Sequence, residues 1–204
     1  MMISILTGDI INSRAAKAPK DYLKILRKTL SLLGKENERW EIFRGDSFQL
    51  EIEDAETAFW KSLYIKAALK SIKGLDVRIA IGVGEKSYRA KSISESSGSA
   101  FIRSGEMFEL LKKEKTNLLI HCGNKQLNRE INVSFKLALI AMDNWTQNSA
   151  EVVKLSIEYP DFNQQELGEK IGIKQNTVSE RQKRAFLEEL KEFDLIFREK
   201  IKKL

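Results

Sequence analysis

The sequence predicts an α+β fold, a mixed strand-and-helix domain followed by an all-α domain. Two observations predict it. Short, branched apolar runs alternate with helical periodicities through residue 123, and from Asn124 to Leu204 the apolar patterns recur at three- and four-residue steps.

The first strand is expected at Met2–Ile5, continuing to Leu6 and stopped by Thr7-Gly8-Asp9. A polar loop follows. Pro19, Tyr22, Leu23, Ile25, Leu26, Leu30 and Leu33 then give an amphipathic helix that ends at Gly34. Trp40–Phe43 and Phe48–Ile52 flank Arg44-Gly45-Asp46-Ser47, a hairpin in which Gly45 can supply a positive φ. Residues 55–72 return to helical spacing, Gly74 punctuates, and Val77, Ile79, Ile81 and Val83 alternate as a fourth strand. This order is that of a ferredoxin-like βαββαβ unit. A helix at Gly98–Lys113 and a strand at Leu118–His121 extend it. The right-handed crossover makes the second strand run parallel to the first, which places the hairpin turn at the exit of strand one. Asp9 and Asp46 are therefore expected side by side.

The expected domains are residues 1–123, a connecting helix over 124–146, and a helical domain over 147–204. No apolar run approaches the ~20 residues that span a bilayer, and no basic segment leads into an apolar signal at the N-terminus, so a cytoplasmic protein without membrane contact is expected. One cysteine, Cys122, excludes an intramolecular disulfide, and one histidine, His121, leaves too few ligands for a zinc site of thiolate and imidazole. A metal would need carboxylates. The 204 residues carry 35 basic and 29 acidic side chains, a net +6 that permits nucleic-acid binding without demonstrating it. The final 55 residues are balanced at 11 of each, yet Lys174–Arg184 holds four cations against Glu180 alone.

Two strand-end aspartates at one sheet edge can hold a magnesium ion (Mg2+), which wants hard oxygen ligands and keeps waters for a phosphate-bearing partner. They also suit turns in their own right. Gly82-Val83-Gly84 is a weak phosphate-loop candidate, because a strand end also needs small residues. Trp40, Trp60 and Trp145 read as core anchors, and His121-Cys122 as structural.

In context, Thr7-Gly8-Asp9-Ile10-Ile11-Asn12-Ser13, Arg44-Gly45-Asp46-Ser47-Phe48-Gln49 and Val77-Arg78-Ile79-Ala80-Ile81-Gly82-Val83-Gly84 occur in this order. Together they resemble the palm-like core of class III nucleotide cyclases and GGDEF proteins. The closer resemblance is to the SatD family of bacterial proteins, which join such a domain to a C-terminal DNA-binding helix-turn-helix, and it covers nearly the whole chain. The resemblance implies metal binding by Asp9 and Asp46. Ser97–Gly105 falls where cyclases carry a transition-state helix, but Ile102 and Glu106 take the positions of its asparagine and arginine, which speaks against cyclase activity. Arg103 is the candidate replacement as a phosphate ligand.

Gln164 to Ser179 carries the second constellation. Gly168 at a helix crossing, Gly172 in a turn, and Leu167, Ile171, Ile173 and Val178 as packing residues match a helix-turn-helix. Its recognition helix is expected over Thr177–Leu190. Gln164, Lys174, Gln175, Asn176, Thr177 and Ser179 are the expected DNA contacts near its start, and Arg181, Lys183 and Arg184 would meet phosphates. Leu187, Leu190, Phe193, Ile196 and Phe197 follow helical spacing, a tail that packs onto the module or onto a second subunit. The expected protein is a SatD-like transcriptional regulator that binds double-stranded DNA as a homodimer and senses a nucleotide or phosphorylated ligand through its N-terminal domain. The alternative is a magnesium-dependent nucleotidyl cyclase or nucleotidyltransferase.

Overall fold

The computed structural model describes residues 2–13 and 19–204. Most of the polar loop expected before Pro19 lies outside the described residues. The elements are β1 (Met2–Ile11), α1 (Pro19–Leu33), β2 (Trp40–Phe43), β3 (Ser47–Ile52), a 3-10 turn (Ala55–Thr57), α2 (Ala58–Lys70), β4 (Asp76–Glu85), α3 (Ser99–Lys113), β5 (Leu118–His121), and then helices α4 (Lys125–Met142), α5 (Gln147–Glu158), α6 (Gln164–Ile171), α7 (Gln175–Arg184) and α8 (Leu187–Lys202). The fold is α+β with a helical end, as expected.

The five strands lie in the order β2-β3-β1-β4-β5. β3 and β4 flank β1 antiparallel, and β5 adds parallel to β4. The first four strands thus form the split βαβ arrangement, with β2 running in the direction of β1 and β3 between them. Strand alternation sends Leu6, Phe48, Leu50, Ile79 and Ile81 into the main core. The opposite face meets α3, where Thr7 and Ser104 share a hydrogen bond of 3.0 Å.

β1 does not stop at Thr7-Gly8-Asp9. It runs on to Ile11 because Gly8 is a slot: a Cβ there would sit 2.5 Å from the ring of Phe48. The Gly45 turn is as expected, with φ of 84°, and Arg44 also adopts a positive φ of 55°. Gly82 and Gly84 are explained by packing. A Cβ at Gly82 would fall 2.1 Å from the Ala100 carbonyl oxygen, and one at Gly84 2.8 Å from the Ala100 nitrogen. These glycines let α3 lie against β4, which corrects their reading as a phosphate loop.

α2 is enclosed on nearly every side, from Ala58 to Leu69. Its Phe59 stacks on Phe135 of α4 at 5.6 Å and meets Phe193 of α8 edge-on at 4.7 Å, and Phe197 packs beside both rings. The tail therefore returns to the N-terminal domain. One core passes through the expected boundaries at 123 and 147, joining sheet residues to Trp145, Ala150, Val153, Leu187, Leu190, Phe197 and Ile201. A polar knot reinforces it. The buried ammonium of Lys66 contacts Asp76 at 2.7 Å and Asp143 at 2.6 Å, and Lys70 bonds Asp76 and the Asp143 carbonyl.

Phe135→Ala should cost about 3–5 kcal/mol in denaturant unfolding, because the aromatic cluster cannot close over the void. The loss should appear together in probes of sheet and C-terminal helices. Burial pushes the Asp194 carboxyl above its ordinary value against the opposing pull of Arg198. A raised acid stabilises the fold below its unfolded pKa and loses that contribution as pH rises through its folded one. Melting curves across acidic pH should show that step in the wild type and lack it in Asp194→Asn.

Candidate functional site

The C-terminal module is built from α5, α6 and α7. Asn163 caps α6, its side chain accepting from the Gln165 and Glu166 backbone nitrogens while Glu166 reaches back to the Asn163 nitrogen. α6 ends at Gly172 in the left-handed conformation, φ 71°. A Cβ at Gly168 would fall 2.5 Å from the Ile173 carbonyl oxygen and 3.4 Å from a Val178 methyl. The turn can close only over a hydrogen at this position. Val152, Leu155, Leu167 and Val178 form the module's own small core, with Tyr159, Ile171 and Ile173 packed around it.

This geometry presents one face of α7. Lys174, Gln175, Asn176, Ser179, Glu180, Lys183 and Arg184 are exposed, and Thr177 is half-buried at its edge. Two expected contacts turn inward. The Gln164 amide donates to the Gln182 side chain at 2.9 Å, and Gln182 donates to Ser156 at 3.0 Å, a relay linking all three helices. Arg181 lies 3.5 Å from Glu151 of α5 with its side chain 17% exposed. Its charge is matched inside the module, so Lys183 and Arg184 carry the outward cationic surface. Arg184 meets Glu180 at 3.3 Å, an exposed pair of little energetic weight.

The recognition helix also differs from its expected span. It starts at Gln175 and ends at Arg184, and the chain breaks at Phe186, φ 56°, before α8 begins. No glycine or proline marks this break. The Trp145 indole fixes it by donating to the Ala185 carbonyl at 3.0 Å.

Asp9 and Asp46 do lie together, with the Ile10 nitrogen donating to the Asp46 carbonyl at 3.0 Å. Their carboxylates are differently engaged. Both oxygens of Asp9 accept from Arg78, Nε at 2.9 Å and Nη2 at 2.5 Å. Asp46 accepts from the Ser13 hydroxyl at 2.8 Å. Among the described residues no third histidine, cysteine or carboxylate joins them. A bidentate guanidinium on the first aspartate and a lone second carboxylate do not fit a magnesium ion. The adjoining cleft, of about 780 Å³, is lined by Asp9, Asp46, Arg78, Lys112, Lys115 and Thr116 among others. Among the described residues the Thr116 hydroxyl, buried there, has no partner.

Arg103 is not at this edge. Its Nη1 donates to the Val83 carbonyl at 2.6 Å, and its guanidinium fills the space that side chains at Gly84 and Gly123 would take. It is a strut between β4 and α3. Ile102 is exposed on the outer side of α3.

Residues 141–191 match the family model for Sigma-70, region 4. No curated protein matches the chain. The matched segment runs from the end of α4 into α8 and contains the whole turn just described. The C-terminal region is thus a helix-turn-helix, similar to that region. No helix among the described residues is long and apolar enough to cross a membrane.

Gly168→Val should destabilise the protein by about 3 kcal/mol through overpacking against backbone that cannot retreat. Thermal melts check this. Gly45→Ala, a strained but open position remote from the module, should leave DNA retention unchanged while Gly168→Val abolishes it.

Proposed function

We propose that this chain is a SatD-type transcriptional regulator that binds double-stranded DNA as a homodimer through α7. The observation that supports the reading is the exposed face of α7, where amides and hydroxyls at its start stand beside cations at its end. Gln175 and Asn176 suit the bidentate edge of adenine, and Lys174, Lys183 and Arg184 suit phosphates. A single ten-residue helix contacts too few base pairs for tight specific binding, so two copies are required.

The N-terminal domain supplies a sheet-edge cleft in which Arg78 is matched by Asp9, leaving Lys112 and Lys115 against Asp46. That charge balance supports an anionic ligand, a nucleotide or another phosphorylated molecule, bound without a metal. The cleft and α7 belong to one packed body, so a ligand acts by favouring one arrangement of the two copies.

Selection of bound genomic fragments, followed by anisotropy titrations at several salt concentrations, tests the DNA reading. Affinity should fall steeply with salt. Lys183→Ala and Arg184→Ala should each weaken binding across all sequences and lower the salt slope by about one. Asn176→Ala should instead change the preferred sequence at one position by about 1–3 kcal/mol. Arg181→Ala should leave the slope unchanged. Binding that is insensitive to salt and to the Lys183 and Arg184 substitutions would overturn the assignment.

A further inference from the structure

α4 and α8 run antiparallel across the back of the core, tied at one end by Lys200 and Glu130 at 2.7 Å. Between them lies an open groove of about 450 Å³. Ser134, Ala138 and Ala141 of α4 make a small-residue floor at helical spacing, and Leu137, Ile140 and Phe186 stand beside it. The large side chains are not covered. Leu137 is 64% exposed, Ile140 67% and Phe186 51%, and Val133 and Ile196 extend the patch at 54% and 50%. These positions present on the order of 500 Å² of apolar surface, toward the upper end of the largest patch a monomer ordinarily leaves to water.

Phe186 gives an independent sign that the patch is used. Its left-handed backbone, φ 56°, is costly for a bulky residue, and the ring it holds out is half in solvent. A polar residue or glycine would make the same corner without either cost.

We propose that the α4–α8 groove is the dimer interface, and that its occupant is a second copy of this chain. The surface is self-complementary. A ridge of Leu137 and Ile140 lies directly beside a floor of alanines and serine, so a two-fold axis lets each ridge enter the other groove, as an isologous contact demands. The exposed apolar area supplies most of the ~800 Å² per partner that a stable interface buries, with the polar rim supplying the rest. The position also suits the assigned role. Phe186 follows two residues after the end of α7, so the axis brings the two recognition helices to the same side at their C-terminal ends.

The dimer completes the DNA-binding reading but is measured apart from it. Sedimentation velocity of the full chain without DNA should show a dimer at concentrations up to about 100 µM. The double variant Leu137→Glu/Ile140→Glu should raise the dimer dissociation constant at least ~100-fold, with melting temperature kept because both positions are exposed. Phe186→Gly should also weaken the dimer while stabilising the monomer, since it removes both ring and backbone strain. A wild type that stays monomeric, or a dimer untouched by both variants, overturns the interface. A monomer that still binds DNA removes this inference and the homodimer of the proposed function, and leaves DNA binding through α7 in place. A dimer that ignores DNA leaves the interface in place and removes the regulator reading.

Discussion

Enclosure of α2 is the constraint on which the remaining structure depends. A helix that is apolar around nearly its whole circumference has to be covered on every side, and the sheet can cover only one. α1, α4, α5 and α8 supply the other walls, and the four-phenylalanine cluster is where α2, α4 and α8 meet. The helix-turn-helix is held in place by this requirement. Its neighbour α8 is anchored in the same aromatic cluster, and α5 packs directly on α2. The Lys66 knot adds a polar restraint at the end of α4, where removing one partner would leave a buried charge unmatched.

The two polar regions follow different logic. At the sheet edge, Arg78 sits on β4 opposite Asp9 in the antiparallel register, so the ladder itself delivers a cation to the carboxylate. On α7, by contrast, the charges are set by helix phase. Arg181 faces inward toward Glu151, whereas Lys183 and Arg184 face out. Neighbouring arginines in sequence thus have unlike roles.

Much of this was legible in the sequence. The order of strands and helices, the meeting of Asp9 and Asp46, and the Gly168–Gly172 turn all come from local patterns and topology rules. What escaped was settled by distant partners. Nothing near Arg103 announces that the Val83 carbonyl and two glycines will enclose it. Nothing around Phe186 marks a helix break, because the Trp145 hydrogen bond to Ala185 comes from forty residues away. The length of β1 was missed because Gly8 looked like a stop, when it serves the ring of Phe48 across the ladder. The return of α8 to the sheet domain was likewise invisible to periodicity, which shows that a stripe is apolar without saying what it meets.

The small core of Val152, Leu155, Leu167 and Val178 bears on how this helical module could be reused. Cut away from the sheet, α5 to α8 would keep that patch and lose the wall against α2, exposing Val153, Leu187 and Phe197 to water. The segment is therefore a poor transplant. Fusing it to another protein would carry the turn without the scaffold that keeps it upright.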